Sequence, residues 1–184
     1  MKNRVYIFIV VILGIVLLFV TKDRDLINSL SVIIEQKDRP LTFLDKKAKT
    51  IKTKKIFLNR LEFQNSNHLI NENYGDLGFS RDFVMEIRAR MDIKKSGKYL
   101  FHIYSDDGFR LKINNETVCQ FIKSRPIDKT ICEVFLRKGV NNLYIKYFQG
   151  YGNLGLRGFY KYSGDIRFYY IGESSSNIKF KELK

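Results

Sequence analysis

The stretch YLFHIYSDDGFRLKIN, residues 99–114, decides the fold of this chain. Apolar residues recur at every second position on both sides of a central acidic pair, so that Phe109 and Leu111 share one face of the second run. Both runs therefore predict half-buried β-strands. Two adjacent carboxylates at a strand junction repel each other unless a positive charge lies between them, and a hard cation held by oxygen atoms usually supplies it. Asp106 and Asp107 are thus a candidate metal site.

The rest of the chain from about residue 55 repeats this pattern of short alternating runs. Residues 83–93 show the cleanest alternation, and about nine such runs are separated by Gly, Asn and Lys-Gly turn sequences. The 184 residues contain 14% aromatic residues and only two Pro, which favours a packed β-rich body over a disordered one. We predict an all-β, antiparallel β-sandwich over residues 55–184.

The N-terminus predicts a membrane anchor over residues 1–21. Sixteen uncharged, strongly apolar residues from Val5 to Val20 approach the length of a spanning helix, and no small-residue cleavage sequence adjoins them. Lys2 and Arg4 favour a cytoplasmic N-terminus. We therefore expect an uncleaved single-pass transmembrane helix, a signal-anchor, with the body in the periplasm or outside the cell.

Residues 22–54 predict an amphipathic stem followed by a basic linker. Leu26, Leu30 and Ile33 recur at helical spacing up to Pro40, which would end the helix. Nine basic and two acidic residues lie between positions 37 and 60, although the whole chain carries a net charge of +14. Such a run attracts phosphate-bearing surfaces, or is simply a linker kept extended by self-repulsion. An extracytoplasmic position excludes nucleic acid as a partner.

The two cysteines, Cys119 and Cys132, fall in neighbouring predicted strands. In an oxidising compartment they would form one disulfide, and the alternative is a pair of buried free thiols. Their spacing matches no zinc site.

Several short motifs in a fixed order resemble the PA14 domain. They are residues 98–101 and 105–111, then Leu136-Arg137-Lys138-Gly139, then Tyr147-Phe148-Gln149-Gly150 with Gly155-Leu156. This family is named for a fragment of anthrax protective antigen, and it includes domains of yeast flocculins, bacterial adhesins and glycoside hydrolases. The similarity extends from about residue 57 to residue 162.

The resemblance implies a β-sandwich that often carries a calcium-dependent carbohydrate site. In lectin-like members two consecutive aspartates, joined by a cis peptide, bind Ca²⁺ with groups from a later loop; Asp106 and Asp107 match that pair. The later loop corresponds to residues 149–155, where Asn153 and then Gln149 are the best side-chain oxygen donors. Tyr151 or Phe109 would stack on a sugar ring.

Two alternatives stand beside the metal site and its function. Asp107-Gly108 would also make a tight turn in which Asp106 is only solvated.

Only His68 and His102 are present and no nucleophile motif surrounds them, so we predict no enzymatic activity. We expect a membrane-anchored, adhesin-like module that binds carbohydrate with calcium. The alternative is a structural or protein-interaction module with a partner in the cell envelope.

Overall fold

The computed structural model describes residues 27–182, and the regular elements in that range are all β-strands. In chain order they are β1 Leu30–Lys37, β2 Thr50–Leu58, β3 Glu62–Ser66, β4 Ile70–Asn71, β5 Gly75–Asp76, β6 Phe83–Ile93, β7 Gly97–Asp106, β8 Gly108–Ile113, β9 Glu116–Phe121, β10 Asp128–Leu136, β11 Gly139–Gln149, β12 Leu154–Tyr162, β13 Tyr169–Tyr170 and β14 Ile178–Phe180. Every pairing between these strands is antiparallel. The predicted all-β antiparallel architecture is confirmed.

Two sheets pack face to face around one core. Seven strands form the first sheet in the order β2-β1-β6-β11-β8-β9, with β14 also paired to β6. Five strands form the second, in the order β10-β7-β12-β13, with β3 paired to β12. Because side chains alternate between faces, the inner face of each strand supplies the apolar cluster between the sheets.

The strand β6 illustrates how alternation sets both the core and the outer surface. Its odd-numbered residues from Phe83 to Ile93 are buried, and Ile87 lies opposite Ile145 of β11. The even-numbered residues of the same strand include Arg88 and Arg90, which are exposed. One face of this sheet is therefore apolar and the other is charged.

The predicted amphipathic stem is wrong, because Leu30–Lys37 forms strand β1 between β2 and β6. Leu30, Val32 and Ile34 are buried at every second position, which is the period of a strand. The same run also holds apolar residues at helical spacing, so the sequence alone fits both periods. Pairing with strands on both sides decides for the strand.

The predicted linker also lies partly within the domain. Thr50–Leu58 is strand β2, which carries Lys52, Lys54 and Lys55 on the edge of the seven-stranded sheet. Lysines on an edge strand discourage pairing with another chain. The β-sandwich thus begins at Leu30 rather than at residue 55. The predicted anchor, residues 1–21, lies outside the described residues, and between residues 27 and 182 no helix has the length and apolar character needed to cross a membrane.

The predicted disulfide between Cys119 and Cys132 is confirmed. Cys119 lies on β9 at the edge of the seven-stranded sheet, and Cys132 lies on β10 at the edge of the five-stranded sheet. Their Cα atoms are 5.8 Å apart. The bond therefore joins the two sheets and closes the loop between β9 and β10.

Candidate metal and ligand site

Asp106 and Asp107 lie where the chain passes from one sheet to the other. Asp106 ends β7 of the five-stranded sheet, and Gly108 begins β8 of the seven-stranded sheet. The peptide bond between the two aspartates is cis, as the resemblance implied. A Cβ atom on Gly108 would lie 2.6 Å from the carbonyl oxygen of Phe121, so only glycine fits after the pair. The backbone thus holds both carboxyl groups at one rim of the sandwich.

The carboxylate of Asp107 ties together two loops. Its Oδ1 accepts the N–H of Arg125 at 3.1 Å, from the loop after β9, and its Oδ2 accepts the N–H of Gly150 at 2.8 Å, from the loop after β11. Burial raises the pKa of Asp107, and these N–H donors offset part of that rise. Each carboxylate oxygen has a further lone pair for a cation. Asp107 is therefore oriented before any ligand binds.

The folded protein disfavours the ionised form of Asp106 more than that of Asp107. Asp106 is only 7% exposed. Burial, followed by repulsion from Asp107, raises its pKa to about 6, and the N–H of Ile127 and the charge of Arg125 offset this only in part. Its carbonyl oxygen accepts the hydroxyl of the buried Tyr147. The structural alternative is wrong in making Asp106 a solvated residue, whereas Asp107 does accept backbone N–H bonds as that alternative predicted.

Arg125 is a site residue that sequence reasoning missed. Its guanidinium donates to the hydroxyl of Ser105 at 2.8 Å and to that of Thr130 at 3.1 Å, and it lies 4.3 Å above the ring of Phe121. These contacts fix the β9–β10 loop, whose backbone reaches Asp107. No local motif marks Arg125 in the sequence, because its partners come from three different strands.

Two of the predicted ligand residues are instead part of the protein interior. Gln149 is fully buried: its Oε1 accepts the Tyr147 hydroxyl at 2.7 Å, and its Nε2 donates to the carbonyl of Asn153 at 2.8 Å. Its amide is thus used to brace the 149–155 loop, and it is not placed as a metal ligand. Phe109 is also fully buried, in the core between the sheets, so it cannot stack on a sugar.

The other two predicted residues lie at the surface of the same loop. Tyr151 is 84% exposed, and Asn153 is also exposed. Gly150 anchors this loop beside Asp107, and a Cβ atom there would lie 2.4 Å from the carbonyl oxygen of Leu41. The structure therefore brings the aspartate pair together with the loop that carries Tyr151 and Asn153.

Comparisons with known proteins agree with this geometry. A protein-family model described as the PA14 domain matches residues 60–126, a range that includes the aspartate pair. Residues 60–126 of this chain match the PA14 domain. No curated protein matches the chain in sequence.

Solved structures of low sequence identity share the same fold. The PA14 sugar-binding domain from an RTX adhesin has a TM-score of 0.60 at 14% identity, over 78% of this chain and 94% of that chain. The PA14 domain of the MpAFP antifreeze protein has a TM-score of 0.59 at 11% identity, over 78% and 87%. The Epithelial Adhesin 9 A domain from Candida glabrata, in complex with Galβ1-3GlcNAc, has a TM-score of 0.56 at 12% identity, over 81% and 88%.

A small cavity of about 230 Å³ adjoins this exposed loop. Its lining consists of polar side chains and one aromatic ring: Asn67, Ser80, Arg81, Tyr151, Gly152 and Asn153. Amide, hydroxyl and guanidinium groups can donate to sugar hydroxyls or to an acidic substituent.

The donor set of the rim suits calcium better than a transition metal. Two carboxylates and the amide oxygen of Asn153 are hard oxygen ligands, and Ca²⁺ takes about 6–8 oxygens, including backbone carbonyls and water. Between residues 27 and 182 no third His, Cys, Asp or Glu joins the pair in a metal-binding group. The carboxylates of Asp106 and Asp107 are therefore ligands of the kind that calcium prefers, and the ion would take its other oxygens from backbone carbonyls, side chains or water.

Proposed function

We propose that this PA14 domain is a binding module that recognises carbohydrate through a calcium ion held by Asp106 and Asp107. The observation that carries the proposal is the pair of adjacent, buried carboxyl groups, tied by Asp107 to the loop that displays Tyr151 and Asn153. Repulsion between the two carboxylates is a cost that a bound divalent cation would remove.

The residues of the rim have distinct roles in this proposal. Asp106, Asp107 and the amide oxygen of Asn153 would hold the ion, and calcium supplies a centre at which vicinal sugar hydroxyls replace water. The backbone N–H groups of Arg125 and Gly150 orient Asp107. Tyr151 presents an exposed aromatic face on which a pyranose ring would stack.

Two of the similar structures support a carbohydrate ligand. One is described as a sugar-binding domain, and another was solved in complex with Galβ1-3GlcNAc. With 12–14% identity these structures share the fold with this chain, and the ligand assignment rests on the rim residues. In this proposal the exposed residues of the 149–155 loop select the sugar.

The same proposal includes a position outside the cytoplasm. Residues 1–21 would anchor the chain in a membrane with the N-terminus in the cytoplasm, and the domain would begin close to the membrane surface. The Cys119–Cys132 disulfide supports an oxidising compartment. Protease accessibility of the domain in intact cells and in spheroplasts tests this part of the proposal: protection in both, with digestion only after lysis of the spheroplasts, would contradict it.

Two exposed apolar side chains on the edge strand β10 favour a second candidate function, docking to a protein of the cell envelope. Ile131 and Phe135 are 56% and 66% exposed on the same face of that strand. Apolar side chains on an exposed face can contribute to a protein interface. In that function the aspartate pair would be structural, and no sugar would bind.

Calorimetric titration with Ca²⁺ tests the proposed function directly. The full-length protein should release heat on calcium binding, and Asp106→Asn and Asp107→Asn should each abolish it. Glu133→Gln removes one charge from an exposed, distant position and serves as the matched control. Equal binding by wild type and both aspartate variants would overturn the metal site.

A glycan array, probed with calcium and then with chelator, tests the carbohydrate ligand. We expect calcium-dependent signals that Tyr151→Ala weakens while its calcium affinity stays unchanged. Calcium binding without any glycan signal would reject carbohydrate recognition and favour the docking function.

A further inference from the structure

An open groove of about 600 Å³ lies on the outer face of the seven-stranded sheet, away from the calcium rim. It is lined by side chains from three adjacent strands, with Arg88 and Arg90 on β6, Lys112 on β8, and Tyr144 and Asn142 on β11. The proposed function does not use any of these residues.

The strand register explains why these side chains meet. Arg88 lies opposite Tyr144, and Tyr144 lies opposite Lys112, so the three form one row across the sheet. Arg90 lies opposite Asn142 in the next row. Residues that are directly opposite on antiparallel strands point to the same face. The cations and Tyr144 therefore lie on paired strands, and Asn115 lies in the turn between β8 and β9.

The carboxylates of this outer face are already paired with cations. Glu86 binds Arg88 at 2.8 Å. Asp45 reaches over the sheet and bridges Arg110 at 2.8 Å and Lys146 at 3.1 Å. These pairs neutralise one part of the face and leave no spare acidic group beside the groove among its lining residues.

The other two cations of the groove, Arg90 and Lys112, are not neutralised in this way. Across residues 27–182 neither Arg90 nor Lys112 forms an ion pair. The groove is also lined by the amide side chains of Asn115 and Asn142. Arg88 lies 5.0 Å from the centre of the Tyr144 ring. Unpaired cations, free amides and an aromatic wall thus share one concave surface.

We propose that this groove binds an acidic polysaccharide, one whose sugar units carry carboxylate or sulfate groups. The guanidinium of Arg90 and the ammonium of Lys112 match such anions, because guanidinium binds carboxylate in a forked geometry. The amides of Asn115 and Asn142 match the neighbouring hydroxyl groups. The site is independent of calcium and of the proposed rim site.

The shape of the groove favours a polysaccharide over a membrane surface. The amides and the Tyr144 ring line a concavity on the outer face of the sheet, which a single polymer chain can enter. A planar layer of headgroups would engage the long cationic side chains without using the amides. A carbohydrate chain therefore uses more of the groups that the groove presents.

Binding of polygalacturonate in the presence of EDTA tests this inference on the full-length protein. EDTA removes calcium, so this measurement does not depend on the proposed calcium site. A negative result here is therefore distinguishable from a failure of the proposed calcium-dependent function. At about 0.15 M salt, interactions between exposed charges more than roughly 8 Å apart are largely screened. Under these conditions we expect wild type to bind polygalacturonate and not neutral dextran. Arg90→Gln with Lys112→Gln should weaken binding at least tenfold.

A matched double variant distinguishes a built site from general positive charge. Lys129→Gln with Arg167→Gln removes the same charge from exposed positions associated with the five-stranded sheet, and it should change affinity less than twofold. Asn115→Ala with Asn142→Ala should weaken binding without changing net charge. Equal losses for both charge variants would overturn the proposal. The proposal would also be overturned if wild type bound phosphatidylglycerol vesicles but not polygalacturonate, and if the groove variant lost the vesicle binding.

Discussion

Replacing Asp106 by Asn should raise the free energy of unfolding of the calcium-free protein near neutral pH. Asn keeps the shape of the side chain but removes a buried charge that lies beside Asp107. The folded state raises the pKa of Asp106 from 3.8 to about 6. A shift of about 2 units corresponds to roughly 3 kcal/mol, at about 1.4 kcal/mol per unit.

The sign follows from the direction of that shift. Below about pH 3 the carboxyl is mostly protonated in both folded and unfolded protein, so it costs almost nothing. As the pH rises through 3.8 towards the folded-state pKa of about 6, the unfolded protein releases the proton first and stability is lost. The gain from Asp106→Asn should therefore be fully present at pH 7.5 and mostly lost at pH 4.

Urea unfolding in EDTA at pH 4.0, 5.5 and 7.5 measures this effect. Glu133→Gln, which removes an exposed charge, should change the free energy of unfolding by less than about 0.5 kcal/mol at each pH. Saturating calcium should reverse the order, since it stabilises the wild type through the intact pair. A loss of stability in Asp106→Asn at pH 7.5, or a gain that does not depend on pH, would refute the electrostatic reasoning.

Three further changes probe the contacts that support the rim. Cys119→Ser with Cys132→Ser should lower the free energy of unfolding by about 2–4 kcal/mol, measured in urea without reductant against the disulfide-bonded wild type. Tyr147→Phe should cost about 1–3 kcal/mol because two buried acceptors lose their donor, whereas Tyr74→Phe, at an exposed hydroxyl, should cost much less. Gly150→Ala should cost about 1–3 kcal/mol by overpacking against Leu41 and should weaken calcium binding; unchanged melting and affinity would contradict the described loop contacts.

The fold was predictable where alternation is strong and where one period fits better than another. In β6 and β8 every second residue is apolar, and these strands form as predicted. Leu30–Lys37 carries apolar residues at both helical and strand spacing, and pairing with β2 and β6 decides between them. Such pairing is a tertiary effect that no local window contains.

The site was predictable only in part for the same physical reason. The acidic pair and the 149–155 loop follow from local motifs, and the structure joins them through Asp107 and Gly150. Phe109 lies on the apolar face that its own alternation indicated, so its burial was implicit in the sequence. Arg125 depends on the Ser105 side chain, which is distant in the chain. Gln149 contacts Tyr147 and Asn153, which are near in the chain, but no sequence pattern shows that its amide is buried and used by them.

The central place of β1 determines how the chain can be shortened for biochemical work. A fragment starting at residue 55 would lack β1 and leave β6 bare from Phe83 to Ala89, where β1 otherwise pairs. Bare strand edges recruit other chains, and such a fragment should form insoluble aggregates. Fragments intended for crystallisation or ligand screening should therefore start upstream of Leu30, retaining Ser29, whose hydroxyl donates to the carbonyl of Gly172 near the other end of the domain.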